Sequence, residues 1–142
     1  MHTSTGVVFL DTFLGGGYDH DIITTIYGPS GSGKTNLCLI AAVHCASAGK
    51  KVIFLDTEGG IAVERIRQIC PEYEKVLERM LFFNPVTFLE QKKIFTNSNK
   101  HLLPYFNKSP PTILTWSRWS KSAYTCVVSK TGIFLRRAIS TK

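Results

Sequence analysis

No stretch of the 142 residues approaches the roughly twenty consecutive apolar side chains that a membrane-spanning helix needs. The opening residues, Met1 to Gly6, have neither the basic end nor the apolar core of a secretory leader. A soluble, cytoplasmic protein with no membrane partner is expected. Cysteine is sparse: Cys38, Cys45, Cys70 and Cys126 form no Cys-x-x-Cys pair and have no histidine at zinc-ligand spacing. That argues against a zinc site or a disulfide framework and for small core fillers. The most informative absence is of acid. Residues 96–142 hold eight Lys/Arg and no Asp/Glu, whereas residues 1–95 hold nine Lys/Arg and all ten Asp/Glu. The formal charge of +7 therefore comes from the tail alone. The tail also contains Pro104, Pro110 and Pro111 and is rich in Ser and Thr, so Ala123 to Val128 is the one strand expected there. The composition breaks at about residue 95, dividing a folded core, 1–95, from an atypical basic tail, 96–142, read as poorly ordered or as an out-of-frame continuation.

What is present begins with Gly28-Pro29-Ser30-Gly31-Ser32-Gly33-Lys34-Thr35, which fits the phosphate-loop pattern G-x-x-x-x-G-K-[ST]. It sits between the apolar run Ile22 to Tyr27 and the helix-like stretch Asn36 to Ala48. A triphosphate needs a concave row of backbone N–H groups, and glycines let the chain curl closely enough to supply them. The helix that follows adds its positive end at the same point. Lys34 is then placed to reach the β- and γ-phosphates, and the Thr35 hydroxyl to ligate the bridging magnesium. ATP and Mg²⁺ are the expected ligands.

The surrounding pattern is α/β. Leu10, Phe13 and Leu14 share one face of a short helix that Gly15-Gly16-Gly17 ends. Asp21 to Tyr27 supplies a first strand, and the next helix closes at Gly49. Val52-Ile53-Phe54-Leu55-Asp56 reads as a strand buried on both faces. Ala62 to Cys70 and Glu72 to Met80 are helical, with Val76, Leu77 and Met80 as an apolar face. Leu81 to Val86 makes a third strand, and Thr87 with Glu90 forms the capping box of a last helix. The fold class is a central, mostly parallel sheet flanked by helices, incomplete after three strands.

Asp56-Thr57-Glu58-Gly59-Gly60 follows the second buried strand, with Glu58 twenty-four residues after Lys34. Ligands of open α/β sheets gather at the carboxyl ends of strands, so both motifs open onto one crevice. There Glu58 can orient a water toward the γ-phosphate, or it can simply help to make a turn.

The runs Leu10-Asp11 through Gly17, Ile26 through Asn36, and Phe54 through Gly60 with Glu64-Arg65 resemble the ATPase core of the RecA/RadA recombinases over about residues 5–95. Like the short members of that family, the chain begins almost at the core. The resemblance implies ATP and DNA binding, a role in homologous recombination and DNA repair, and assembly with copies of itself or with another recombinase or repair protein. By position it makes Gly28 to Thr35 the phosphate loop, Glu58 a catalytic glutamate beside Lys34, and Arg65 the arginine whose guanidinium lies against the adenine. The family also has an aspartate that supports the magnesium at the end of a later strand. Here the candidate strand, Cys126-Val127-Val128, continues Ser129-Lys130. Serine lacks the charge to hold a hydrated divalent ion, so weak or absent ATPase activity is expected. A non-catalytic, nucleotide-dependent binding module and a phosphate-loop kinase are the alternatives. Trp116, Trp119 and Tyr124 beside Arg118 and Lys121 could stack on bases next to phosphate contacts, or their composition could carry no role.

Overall fold

Apolar runs alternating with helix-period segments fold into a five-stranded sheet with helices packed against it, and the first two short strands form a separate two-stranded sheet. The computed structural model describes residues 2–19, 24–57, 59, 61–97, 112–120 and 123–129; for 95–97, 112–120 and 123–129 it describes the backbone. In chain order the elements are β1 (His2–Thr3), α1 (Val8–Phe13), β2 (Tyr18–Asp19), β3 (Thr24–Ile26), α2 (Lys34–Ser47), β4 (Val52–Asp56) and α3 (Val63–Ile69). They are followed by α4 (Tyr73–Leu77), β5 (Met80–Phe83), α5 (Phe88–Asn97), β6 (Thr112–Ser120) and β7 (Ala123–Ser129).

All five residues of β4 are buried, as expected of a strand covered on both faces. Successive side chains point to opposite sides. Val52 and Phe54 join the cluster formed with α2, Ile66 of α3 and Val76 of α4, whereas Ile53 and Leu55 pack with Phe83 and with Ile94 of α5. Burial of each large β4 side chain contributes about 2 kcal/mol. Helix α2 lies close to the sheet because its buried face is mostly small: Cys38, Ala41, Ala42, Cys45 and Ala46, with Leu39 and Val43 as the larger members. Phe82 of β5 extends the packing along the sheet, its ring centroid 5.9 Å from that of Phe54.

Strand β4 runs parallel to a neighbour on each side: Leu55 is opposite Phe83 of β5 and Thr115 of β6, and Asp56 is opposite Trp116. Strand β6 pairs antiparallel with β7, which in turn pairs antiparallel with β3, Ile26 lying opposite Cys126. The order is β3-β7-β6-β4-β5. Every strand of this sheet except β7 therefore points the same way, in agreement with the mostly parallel sheet expected.

Several expectations need correction. Thr112–Ser120 is a strand although the prolines before it suggested otherwise; Pro110 and Pro111 precede its first residue, where a missing N–H costs no ladder bond, and the run is rich in Thr, Ile and Trp. Met80 begins β5 instead of closing α4. The apolar face of α1 is not a core face: no residue of that helix is buried, and Phe13 is 76% exposed. Cys38 is disulfide-bonded, so the reading of all four cysteines as plain fillers fails there, while Cys45 and Cys70 form no disulfide. The capping box is present, with Glu90 N donating to Thr87 Oγ1 at 3.2 Å and Thr87 N donating to Glu90 Oε2 at 3.3 Å.

Candidate functional site

The carboxyl ends of β3 and β4 lie at the same edge of the sheet because the two strands run in the same direction, and the loops leaving them hold the predicted site. From β3 the chain enters Gly28 to Thr35 and turns into α2 at Lys34. Gly33, the residue capping α2, has φ of 86°, and Gly31 has φ of 79°. A Cβ at Gly33 would meet open space, so glycine is required by backbone conformation and not by crowding. No side chain caps the start of this fourteen-residue helix, and no acid lies in its first turn. The positive end of its dipole thus meets no capping side chain and no acid of its own first turn.

Lys34 is 5% exposed. Its Nζ donates to the carbonyl oxygen of Pro29 and, at 3.0 Å, to Ser32 Oγ. The ammonium is folded into the loop, its charge placed where phosphate oxygens can replace the loop's own acceptors. Thr35 follows it in the first turn of α2, half-buried.

At the end of β4, Asp56 is 7% exposed and uses both carboxylate oxygens on the loop that follows. Oδ1 accepts from Gly59 N at 3.0 Å and Oδ2 from Ile61 N at 3.1 Å. Gly59 and Ile61 are thereby held to the strand end. Sequence reasoning singled out Glu58 in this run and missed Asp56; the signal was an aspartate at a strand end three residues before a glycine. Glu58 itself lies outside the described residues.

Arg65 projects from the exposed side of α3 to the start of α2, where its Nε donates to Asn36 Oδ1 at 3.1 Å. One terminal nitrogen donates to Gln68 Oε1 at 2.7 Å. The structure thus brings Arg65 to the residue directly after Thr35.

The strand proposed to end at the second aspartate is misplaced for that task. Because β7 runs against β3, its last residue, Ser129, is opposite Ile113 and lies at the edge of the sheet away from the phosphate loop. On the side of β4 toward β3, the parallel neighbour is β6, and Trp116 occupies the register position opposite Asp56. Ser117 and Arg118 follow, and no carboxylate occurs anywhere after Glu90. Arg118 lies on β6 and Tyr124 on β7, while Lys121 lies outside the described residues. Among the described residues no group of acids, histidines and cysteines forms a metal cluster, and no helix is long and apolar enough to cross a membrane.

A glycine-rich loop leading into a buried helix, at the carboxyl edge of a mostly parallel sheet, is the architecture of the phosphate-loop fold of the RecA type. The Rad51 family model matches residues 1–102. This chain belongs to the Rad51 family. It is similar to the DNA repair and recombination protein RadB of Methanobrevibacter smithii, 45% identical over 92 residues that make up 64% of this chain and 38% of that protein. The RadB of Methanocaldococcus jannaschii is 49% identical over 86 residues, 60% of this chain and 40% of that protein. A crystal structure of the RadB recombinase superposes with a TM-score of 0.62 at 39% identity, covering 69% of this chain and 45% of that one. The chain therefore spans less than half the length of these relatives.

Proposed function

We propose that this chain binds ATP with Mg²⁺ through Gly28, Pro29, Ser30, Gly31, Ser32, Gly33, Lys34 and Thr35, and serves DNA repair and homologous recombination with weak or absent hydrolysis. The observation that carries the reading is the uncapped start of α2 with Lys34 buried beside it. The residues fit the ligand: the loop amides and Lys34 would hold the phosphates, Thr35 would ligate the metal, and Arg65 would lie against the adenine. Bound Mg²⁺ would neutralise phosphate charge. On the protein side, Asp56 sets the course of the loop that carries Glu58, the proposed water-orienting base. The end of β6 offers no carboxylate to steady the metal's water shell, which supports nucleotide binding over turnover. That same absence favours, as second reading, a nucleotide-dependent module that never hydrolyses ATP. DNA is the proposed partner, with a second copy or another recombination protein beside it in the cytoplasm.

Calorimetry with ATP, with and without Mg²⁺, tests the site. Mg²⁺-dependent binding is expected, weakened roughly 10- to 100-fold by Lys34→Ala, the range for losing charge-assisted hydrogen bonds. Binding that ignores this substitution would sink the reading. Steady hydrolysis abolished by Glu58→Ala would remove the second reading. The break at about residue 95 belongs to the same proposal, with 96–142 an out-of-frame continuation of a longer gene, supported by the family match ending at residue 102. An adjacent frame of the coding DNA that encodes a strand ending in aspartate is expected, and a frame without one overturns the idea.

A further inference from the structure

Helix α3 carries two arginines in different surroundings. Arg67 pairs with Glu64 at 4.0 Å, and its guanidinium carbon lies 5.9 Å from the centroid of the Tyr73 ring, so both its charge and its flat face are engaged. Arg65 is held only along its edge, by Asn36 Oδ1 and Gln68 Oε1. Both acceptors are neutral amides, and among the described residues no ion pair engages Arg65. Neither bond offsets its charge, and the residue is exposed. A guanidinium fixed by its edge and open on its face is suited to stacking on a heteroaromatic base, and fixing it beforehand removes the rotamer cost of ordering it on binding.

Asn36 directly follows Thr35, and Gln68 lies one turn beyond Arg65 on α3. The two amides therefore tie the stacking group to the phosphate loop on one side and to its own helix on the other. We propose that Asn36 and Gln68 are positioning residues for base selectivity: they hold the Arg65 plane at a fixed place relative to the phosphate loop, so that the base of a nucleoside triphosphate is bound along with its phosphates. The proposal rests on the nucleotide-binding reading above. A carboxylate at Asn36 would also hold the arginine, but it would cancel its charge and repel the phosphates nearby. A neutral amide avoids both effects.

Calorimetry on the full chain, comparing Mg-ATP with Mg-tripolyphosphate, separates the base from the phosphates. Arg65→Ala is expected to weaken ATP while leaving tripolyphosphate near the wild-type value. Asn36→Ala and Gln68→Met should each lower the preference for ATP over tripolyphosphate roughly five- to tenfold, part of the range for losing a base stack. An unchanged preference in Asn36→Ala and Gln68→Met overturns the positioning role, as does a parallel loss of both ligands, which marks a merely structural effect. If Arg65→Ala leaves the preference unchanged, the base does not meet Arg65 and the inference falls while the phosphate site stands. Wild-type protein that binds neither ligand would remove the nucleotide reading itself.

Discussion

Strands β4 and β6 lie side by side, parallel, in the middle of one sheet, and they are written in different grammars. Val52-Ile53-Phe54-Leu55-Asp56 is apolar until its last residue, which turns out to hold the next loop. Thr112-Ile113-Leu114-Thr115-Trp116-Ser117-Arg118-Trp119-Ser120 neither runs apolar nor alternates cleanly, although its place in the sheet is equally central. In β4, propensity, burial and loop chemistry agree. In β6 the backbone pairs, but the side-chain pattern is not that of a strand covered on both faces. The comparison separates two requirements: a strand must occupy the slot beside β4, and a supported metal needs a charge at that strand's carboxyl end. The tail meets the first and not the second.

Removing the tail tests the first requirement and carries the largest expected effect. A chain ending at residue 97 loses β6 and β7, which leaves one edge of β4 unpaired and separates β3 from the rest of the sheet. Loss of the cooperative unfolding transition, and of ATP binding with it, is expected by circular dichroism and calorimetry. Retention of both would mean that the first 97 residues hold themselves together and that the hairpin is dispensable.

Next in size is Asp56→Asn. The amide keeps one acceptor but turns an N–H donor toward a backbone N–H, so one of the bonds to Gly59 and Ile61 is replaced by a clash of donors. A loss of about 1–3 kcal/mol is expected from the shift of the denaturation midpoint. An unshifted midpoint would mean that the loop's course does not depend on the carboxylate. A smaller effect, about 1 kcal/mol, is expected for Thr87→Ala, which removes the acceptor for Glu90 N at the start of α5. That helix supplies Ile94 to the far face of β4. No change on Thr87→Ala would show that packing alone keeps α5 in place.

How much could be read in the sequence follows from the same contrast. The phosphate loop, β4, α2 and the capping box were legible because each has a local cause: positive-φ glycines, a continuous apolar run, a helical period, a reciprocal pair of side chains. The arrangement of Arg65 against Asn36 joins residues 29 positions apart, and no local pattern announces it. Strand β6 was missed because prolines were weighed as interruptions without regard to their place ahead of the strand. The antiparallel direction of β7 was also illegible, since nothing in Ala123 to Ser129 states which neighbour it will meet. That direction decides the fate of Ser129, which the hairpin carries to the edge opposite the phosphate loop.

Acid offers the finest probe, because every carboxylate side chain lies in the first 95 residues. Asp11 accepts hydrogen bonds from Ser4 Oγ and Thr5 N, the latter at 2.7 Å, and ties the strap before α1 to that helix. The hydrogen bond from Ser4, then those from Thr5, hold its carboxyl below the ordinary value of 3.8. A group depressed in the folded state contributes stability above its unfolded pKa and loses it as pH falls through the folded value. The contribution of Asp11 is therefore complete at neutral pH and fades below about pH 4. Glu72 is lowered as well, by the hydrogen bond and charge of Lys75, but that exposed pair is screened and adds little. Asp11→Asn should lower the neutral plateau slightly while leaving stability at low pH nearly in place, so that the acid limb flattens. An acid limb unchanged by that substitution would move the acid sensitivity to other carboxylates of the first region, since the hairpin has none to titrate.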